Sequence, residues 1–147
     1  MIRVAFIRVT RRYRFSASHR LHSSELSEER NDEIYGKCNN PFGHGHNYEL
    51  DVSVRGPVDS VSGRAVDGSQ LDRLIREQVI DPLHHRSLNT EVPPFAQVVP
   101  TTENLGLEIH RRLKECWRTV FPGEWPVLEK IRIAETPRNF FEVSEHL

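Results

Sequence analysis

Apolar and polar residues alternate along "HNYELDVSVR". His46, Tyr48, Leu50, Val52 and Val54 share one face, and Asn47, Glu49, Asp51, Ser53 and Arg55 share the other. A period of two over this length predicts a half-buried antiparallel strand. The stretch from Ile2 to His19 reads as one long strand or two, with Tyr13, Phe15 and Ala17 leading in phase to His19. Near the other end, "VLEKIRIAETP" and "NFFEVS" predict two strands around a turn at Pro137 and Arg138, and Glu135 falls in phase with Ile131 and Ile133.

Between these strands the apolar spacing changes to three and four. Leu71, Leu74, Ile75 and Val79 mark a helix, opened by Ser69 and Asp72 as a capping box and closed by Pro82. Leu105, Ile109, Leu113, Trp117 and Val120 mark a second helix of about five turns, capped by Thr101 or Thr102 and ended by "FPGEWP". The polar run "SSELSEERNDEIYG" predicts a short helix or a loop, followed by a turn at Asn39, Asn40 and Pro41. With four prolines and no period, "DPLHHRSLNTEVPPFAQVVPTTEN" predicts a long ordered connection. Two strands, two helices and two strands make an α+β domain over residues 1–147: a four-stranded antiparallel sheet with two helices on one face.

Composition narrows the function classes. A formal net charge of -1 gives no electrostatic grip on nucleic acid, so no nucleic-acid partner is expected. No apolar run approaches the ~20 residues that span a bilayer, and charge is scattered through "MIRVAFIRVTRRYRF"; the expectation is a cytoplasmic protein without a membrane partner. In that compartment Cys38 and Cys116 are read as separate thiols, with Cys116 a small hydrophobe on the second helix.

Candidate chemistry concentrates in "KCNNPFGHGHNY". Residues two apart in a strand point to one side, so His44 and His46 can aim both imidazoles at one ion. A catalytic zinc site commonly takes three protein ligands and leaves a fourth position open. His19 is the best third ligand because it also ends a strand on the core-facing phase; His22, in the polar segment beyond, is the alternative. Cys38 lies in the turn before the pair, among polar neighbours, and suits a base or nucleophile once its thiol is acidified by a cation or by Lys37. His84 and His85 cannot both point the same way in an extended chain, so one is expected to act while its neighbour packs. The acid at Glu135 needs donors, and a flat heterocycle with an amino group and a ring N–H presents two side by side.

The segments "FSASHRL", "GKCNNPFGHGHNY", "VPPFAQVVPTTEN" and "IAET" resemble, in order and spacing, the 6-pyruvoyltetrahydropterin synthases and their relatives the 6-carboxytetrahydropterin synthases. The long gap from cysteine to histidine resembles the pyruvoyl type. The resemblance implies zinc held by His19, His44 and His46, Cys38 as proton-abstracting base, and His85 with Glu135 completing the relay. It implies Glu135 as the anchor of the pterin ring, helped by Thr101, Thr102 and Glu103. It further implies the T-fold, with trimers closing their sheets into a β-barrel and two trimers forming a homohexamer. The reaction implied converts 7,8-dihydroneopterin triphosphate to 6-pyruvoyltetrahydropterin with loss of triphosphate, as a zinc-dependent carbon–oxygen lyase. The alternatives are a 6-carboxytetrahydropterin synthase of deazaguanine synthesis and a zinc- or pterin-binding homologue with an impaired relay. The last is motivated by His84, which stands where the family usually has aspartate.

Overall fold

A computed structural model describes residues 4–145. The expected strand start at Ile2 lies outside the described residues, and the first strand, β1, covers Ile7–His19. It pairs antiparallel with β2, His44–Gly56, and the ladder runs from Ile7 opposite Gly56 to His19 opposite His44. After a connection that contains the helices, β4 (Val127–Thr136) pairs with the other edge of β2, and β5 (Asn139–Val143) pairs with β4.

The sheet has five strands rather than four. A two-residue strand β3, Arg86–Ser87, lies parallel to β1 at Ala17 and Ser18, giving the order β3-β1-β2-β4-β5. Two residues carry no alternation to read, and the hydrogen bonds of β3 are set by where the chain returns to the sheet. The four long strands form the expected antiparallel ladder.

Alternation decides which face is covered. Phe15, Leu50, Val52, Val54, Ile131 and Ile133 point to one side and are buried against Leu71, Leu74, Ile75, Leu105, Ile109 and Leu113 from the helices. Each such side chain contributes roughly 1.5–3 kcal/mol by leaving water. The principal helix, α5 (Thr102–Val120), is capped by the Thr101 hydroxyl, which accepts from the Asn104 N–H at 3.1 Å. A shorter helix, α1, covers Glu28–Tyr35 in the polar segment; buried Asn31 ties it to Ser23, Leu26 and Ser27 through both ends of its amide.

The first core helix departs from expectation at both ends. Helix α2 (Gly68–Ile75) is capped by Asp67, whose carboxylate accepts from the N–H groups of Ser69 and Gln70. Asp72, expected in a capping box, instead accepts from the Tyr13 hydroxyl at 2.6 Å and from Arg11 through two bonds of 2.9 Å, clamping α2 onto β1. Gly68 suits this clamp, since a Cβ there would stand 3.2 Å from the Arg11 guanidinium. Pro82 does not stop the helix. The chain widens into a π turn at Arg76–Ile80 and continues as α3, Asp81–Leu83. Proline lacks an N–H and its ring crowds the preceding turn, and both are tolerated in the first turn of a helical segment, where Pro82 stands in α3. The long connection is not structureless either: it holds β3, a short helix α4 (Leu88–Glu91) and a 3₁₀ turn at Pro93–Ala96.

Candidate metal centre

The ladder between β1 and β2 builds the site. His19 and His44 end their strands directly opposite one another, and Ala17 is opposite His46, so the three imidazoles converge at one end of the sheet. Their ring centroids lie 4.7–5.0 Å apart in edge-to-face arrangements, and one ligand nitrogen from each falls within 4.8 Å of the others. The turn entering β2 closes tightly on this end. Gly43, at φ +72°, would place a Cβ 3.1 Å from the His19 carbonyl oxygen, so only glycine lets "PFGH" approach.

Hydrogen bonding selects the atoms that face inward. His19 Nδ1 lies 2.8 Å from the Pro100 carbonyl, which can only accept, so Nδ1 carries the proton and Nε2 presents its lone pair. Buried His19 Nε2, His44 Nδ1 and His46 Nε2 have no hydrogen-bond partner. Three buried ring nitrogens left unpaired around one point fit the demands of a divalent cation, which would satisfy all three. Burial pushes the His19 pKa down, with the two other imidazoles adding to the effect against the Pro100 acceptor and Glu135. Burial also lowers His46, opposed by Glu135. Neutral imidazole is the form that ligates.

Glu135 follows the last β2–β4 pair at Ala134 and turns toward the cluster. Its Oε1 is 3.3 Å from His46 Nε2 and 3.6 Å from His19 Nε2, and its side chain retains 16% exposure. A carboxylate there raises the attraction of the site for a cation.

Cys38 lies in a 3₁₀ turn, Gly36–Asn39, stitched to the segment that leaves β1. Its carbonyl accepts from the Leu21 N–H at 2.8 Å, Asn39 donates to the Leu21 carbonyl, and Arg20 donates to the Asn39 carbonyl. Burial pushes the Cys38 thiol up, and Glu135 adds to that. The polypeptide alone therefore opposes a thiolate, and the expected acidification requires a cation. His22 is engaged elsewhere, its Nδ1 accepting from Asn39 at 2.9 Å.

The remaining candidates divide. The Thr101 hydroxyl is used as a helix cap, Thr102 is buried, and Glu103 is exposed on the first turn of α5. One group beside the site was not anticipated: the hydroxyl of Tyr48, buried, like that of the candidate Thr102, without a completed hydrogen bond. Burial pushes the Tyr48 phenol above its ordinary range, Glu135 adds to this, and the neighbouring Thr102 hydroxyl opposes it. The signal for Tyr48 was present in "HGHNY", where a phenol sits on an otherwise apolar strand face and needs a partner.

The chain is not extended at His84 and His85, so the condition under which their rings would point apart is not met. The backbone turns sharply after α3, His85 adopts φ +60°, and the two rings stack with centroids 3.6 Å apart. His85 lines an open cavity of about 380 Å³ on the sheet edge together with His46, Asn47 and Glu91. Its ring contact is with His84 and not with the histidine trio.

Fold and site together define a class: an α+β protein whose five-stranded sheet gathers three imidazoles and a carboxylate at one end, suited to a divalent metal. Residues 8–146 match the family described as 6-pyruvoyl tetrahydropterin synthase, and the chain belongs to that family. It is 47% identical over 131 residues to 6-pyruvoyl tetrahydrobiopterin synthase of Poecilia reticulata, covering 89% of this chain and 85% of that protein. The human protein of the same name is 44% identical over 131 residues, covering 89% of this chain and 86% of the relative. The solved structure of Caenorhabditis elegans 6-pyruvoyl tetrahydropterin synthase superposes with a TM-score of 0.89 at 39% identity, covering 99% of this chain and all of that one. A more distant match, at 25% identity over 75% of this chain and 86% of the relative, is 6-carboxy-5,6,7,8-tetrahydropterin synthase of Haemophilus influenzae. No helix among the described residues is long and apolar enough to cross a membrane.

Proposed function

We propose that the protein is a zinc-dependent synthase that converts 7,8-dihydroneopterin triphosphate to 6-pyruvoyltetrahydropterin and triphosphate. The observation that carries the reading is the convergence of three unpartnered ring nitrogens, from His19, His44 and His46, beside Glu135. Zinc at that point supplies Lewis acidity toward the side-chain hydroxyl oxygens of the substrate.

The chain's own residues do the rest. Cys38, as thiolate, takes the proton from the side-chain carbon between the pterin and the triphosphate, and His85 with Glu135 relays protons as the redox state moves from side chain to ring. Glu135 also accepts from the pterin amino group and ring N–H. At the start of α5, Thr102 and Glu103 offer the polar groups that help hold the ring, and Thr101 sets the helix start by its cap.

The sheet edges support the proposed assembly. On its outer edge β1 pairs with β3 only at Ala17 and Ser18, and β5 ends the sheet on the other side. Joining those edges between copies closes a barrel of three sheets and removes open strand edges; two such trimers make the proposed homohexamer. A cytoplasmic location belongs to the same reading.

The test is incubation of zinc-loaded protein with 7,8-dihydroneopterin triphosphate, with products identified by mass spectrometry. Pyruvoyl product supports the proposal. Acetaldehyde release would assign the carboxy reaction, which the 47% against 25% identities disfavour. Bound but unconverted substrate would leave a pterin-binding homologue.

A further inference from the structure

Ser16 sits on the outer edge of β1, one residue before β3 begins to pair at Ala17. Both of its backbone groups are taken by the histidine pair. The Ser16 N–H donates to His84 Nδ1 at 3.0 Å, and the His85 N–H donates to the Ser16 carbonyl at 2.6 Å. The His84 ring thus supplies the acceptor that a neighbouring strand would otherwise supply, and His85 supplies the donor.

Three further features fix the geometry. The His84 N–H donates to the Ile80 carbonyl at 2.7 Å, so its backbone ends α3 rather than swinging free. His85 is held at φ +60°, a left-handed conformation that is uncommon for residues other than glycine. The rings stack at 3.6 Å with an interplanar angle of 30°, so one face of His85 is covered while the residue still lines the cavity that His46 also lines. A ring nitrogen that accepts an N–H carries no proton, so His84 in this arrangement holds its proton at Nε2.

We propose that His84 is a positioning residue for His85, latching the pair to the Ser16 backbone through an unprotonated Nδ1 and setting the His85 ring by stacking. The role rests on the proposed relay function of His85. It needs no charge at position 84: the latch is one neutral hydrogen bond and one ring face. His84 acts through His85 and touches no substrate.

The test separates latch from stack. His84→Asn keeps a side-chain acceptor near the Nδ1 position and loses the stack, His84→Phe keeps a ring and loses the acceptor, and His84→Ala loses both. The expectation for His84→Ala is a kcat lowered by about 10- to 100-fold with KM within about threefold, since misplacing a group while leaving substrate binding intact costs turnover selectively. His84→Asn and His84→Phe should each recover part of that loss. A kcat for His84→Ala within about twofold of wild type, or equal losses in all three variants, would overturn the proposal. Nitrogen-15 spectra of the wild-type histidine rings decide the latch without turnover or a variant. An unprotonated His84 Nδ1 near neutral pH supports it, and a protonated one overturns it. Wild type that shows the latch but turns nothing over would defeat the proposed function, whereas turnover indifferent to position 84 would defeat this inference alone.

Discussion

His19 donates its Nδ1 proton to the carbonyl of Pro100, 2.8 Å away, and this contact between the end of β1 and the entry to α5 turns His19 Nε2 toward His46 and Glu135. The carbonyl acts as an outer support, holding the imidazole in the tautomer a metal requires. Wild-type protein dialysed against zinc should therefore retain one ion per chain by elemental analysis. His19→Ala should lose affinity by more than the ~10–100-fold typical of removing an outer support alone. Equal zinc content in the two proteins would remove His19 from the site.

Cys38 gives a pH dependence with a defined sign. Burial and Glu135 raise its pKa, so the thiolate appears only at more alkaline pH than for a free thiol. In metal-free protein the half-point for alkylation by iodoacetamide should lie above about 8.5, the free-thiol value. Zinc should move it down, because a nearby cation favours the anion. Glu135→Gln should also lower it in the metal-free protein. A half-point below the free-thiol value without metal would contradict the assignment.

Tyr48 is wholly buried and its hydroxyl completes no hydrogen bond. Removing a buried, unsatisfied hydroxyl does not cost the usual hydrogen-bond energy. Tyr48→Phe should leave stability unchanged or raise it by about 1 kcal/mol in urea unfolding. A loss of that size would show a partner that completes the bond in solution.

Glu108 on α5 sets a stability term at low pH. Burial works to raise its pKa, but Arg111, hydrogen-bonded at 2.6–3.2 Å, and Arg112 outweigh it and hold the carboxyl below its ordinary range. A lowered folded-state pKa means the stabilisation is complete above the unfolded value and is lost as pH falls through the folded one. Glu108→Gln should cost about 1 kcal/mol at neutral pH, allowing for the exposed Arg111. The difference from wild type should shrink as pH drops below about 4.3. A difference independent of pH would exclude ionisation as its source.

The metal trio was legible because its information is local and periodic. "HGH" puts two imidazoles on one side of a strand, and His19 lies at the end of another run in the same phase; antiparallel pairing then brings His19 opposite His44. The phase of Glu135 with Ile131 and Ile133 was readable for the same reason, and both isoleucines are buried on that face. What escaped depends on single contacts without a period. The cap fell to Asp67 because the Asp72 carboxylate is drawn to Arg11 and Tyr13, some 60 residues away in sequence. The short parallel β3 and the stacked His84 and His85 depend on the backbone of Ser16, and backbone groups look alike in every sequence.

The central claim joins the His19, His44 and His46 centre to proton removal by Cys38, and one measurement bears on both: the rate of 6-pyruvoyltetrahydropterin formation by stripped, zinc-reconstituted and Cys38→Ala protein. The account predicts product from the reconstituted protein, none from the stripped protein, and for Cys38→Ala with zinc still bound a rate lower by at least ~100-fold. Equal rates from stripped and reconstituted protein, or undiminished turnover by zinc-loaded Cys38→Ala, would contradict it.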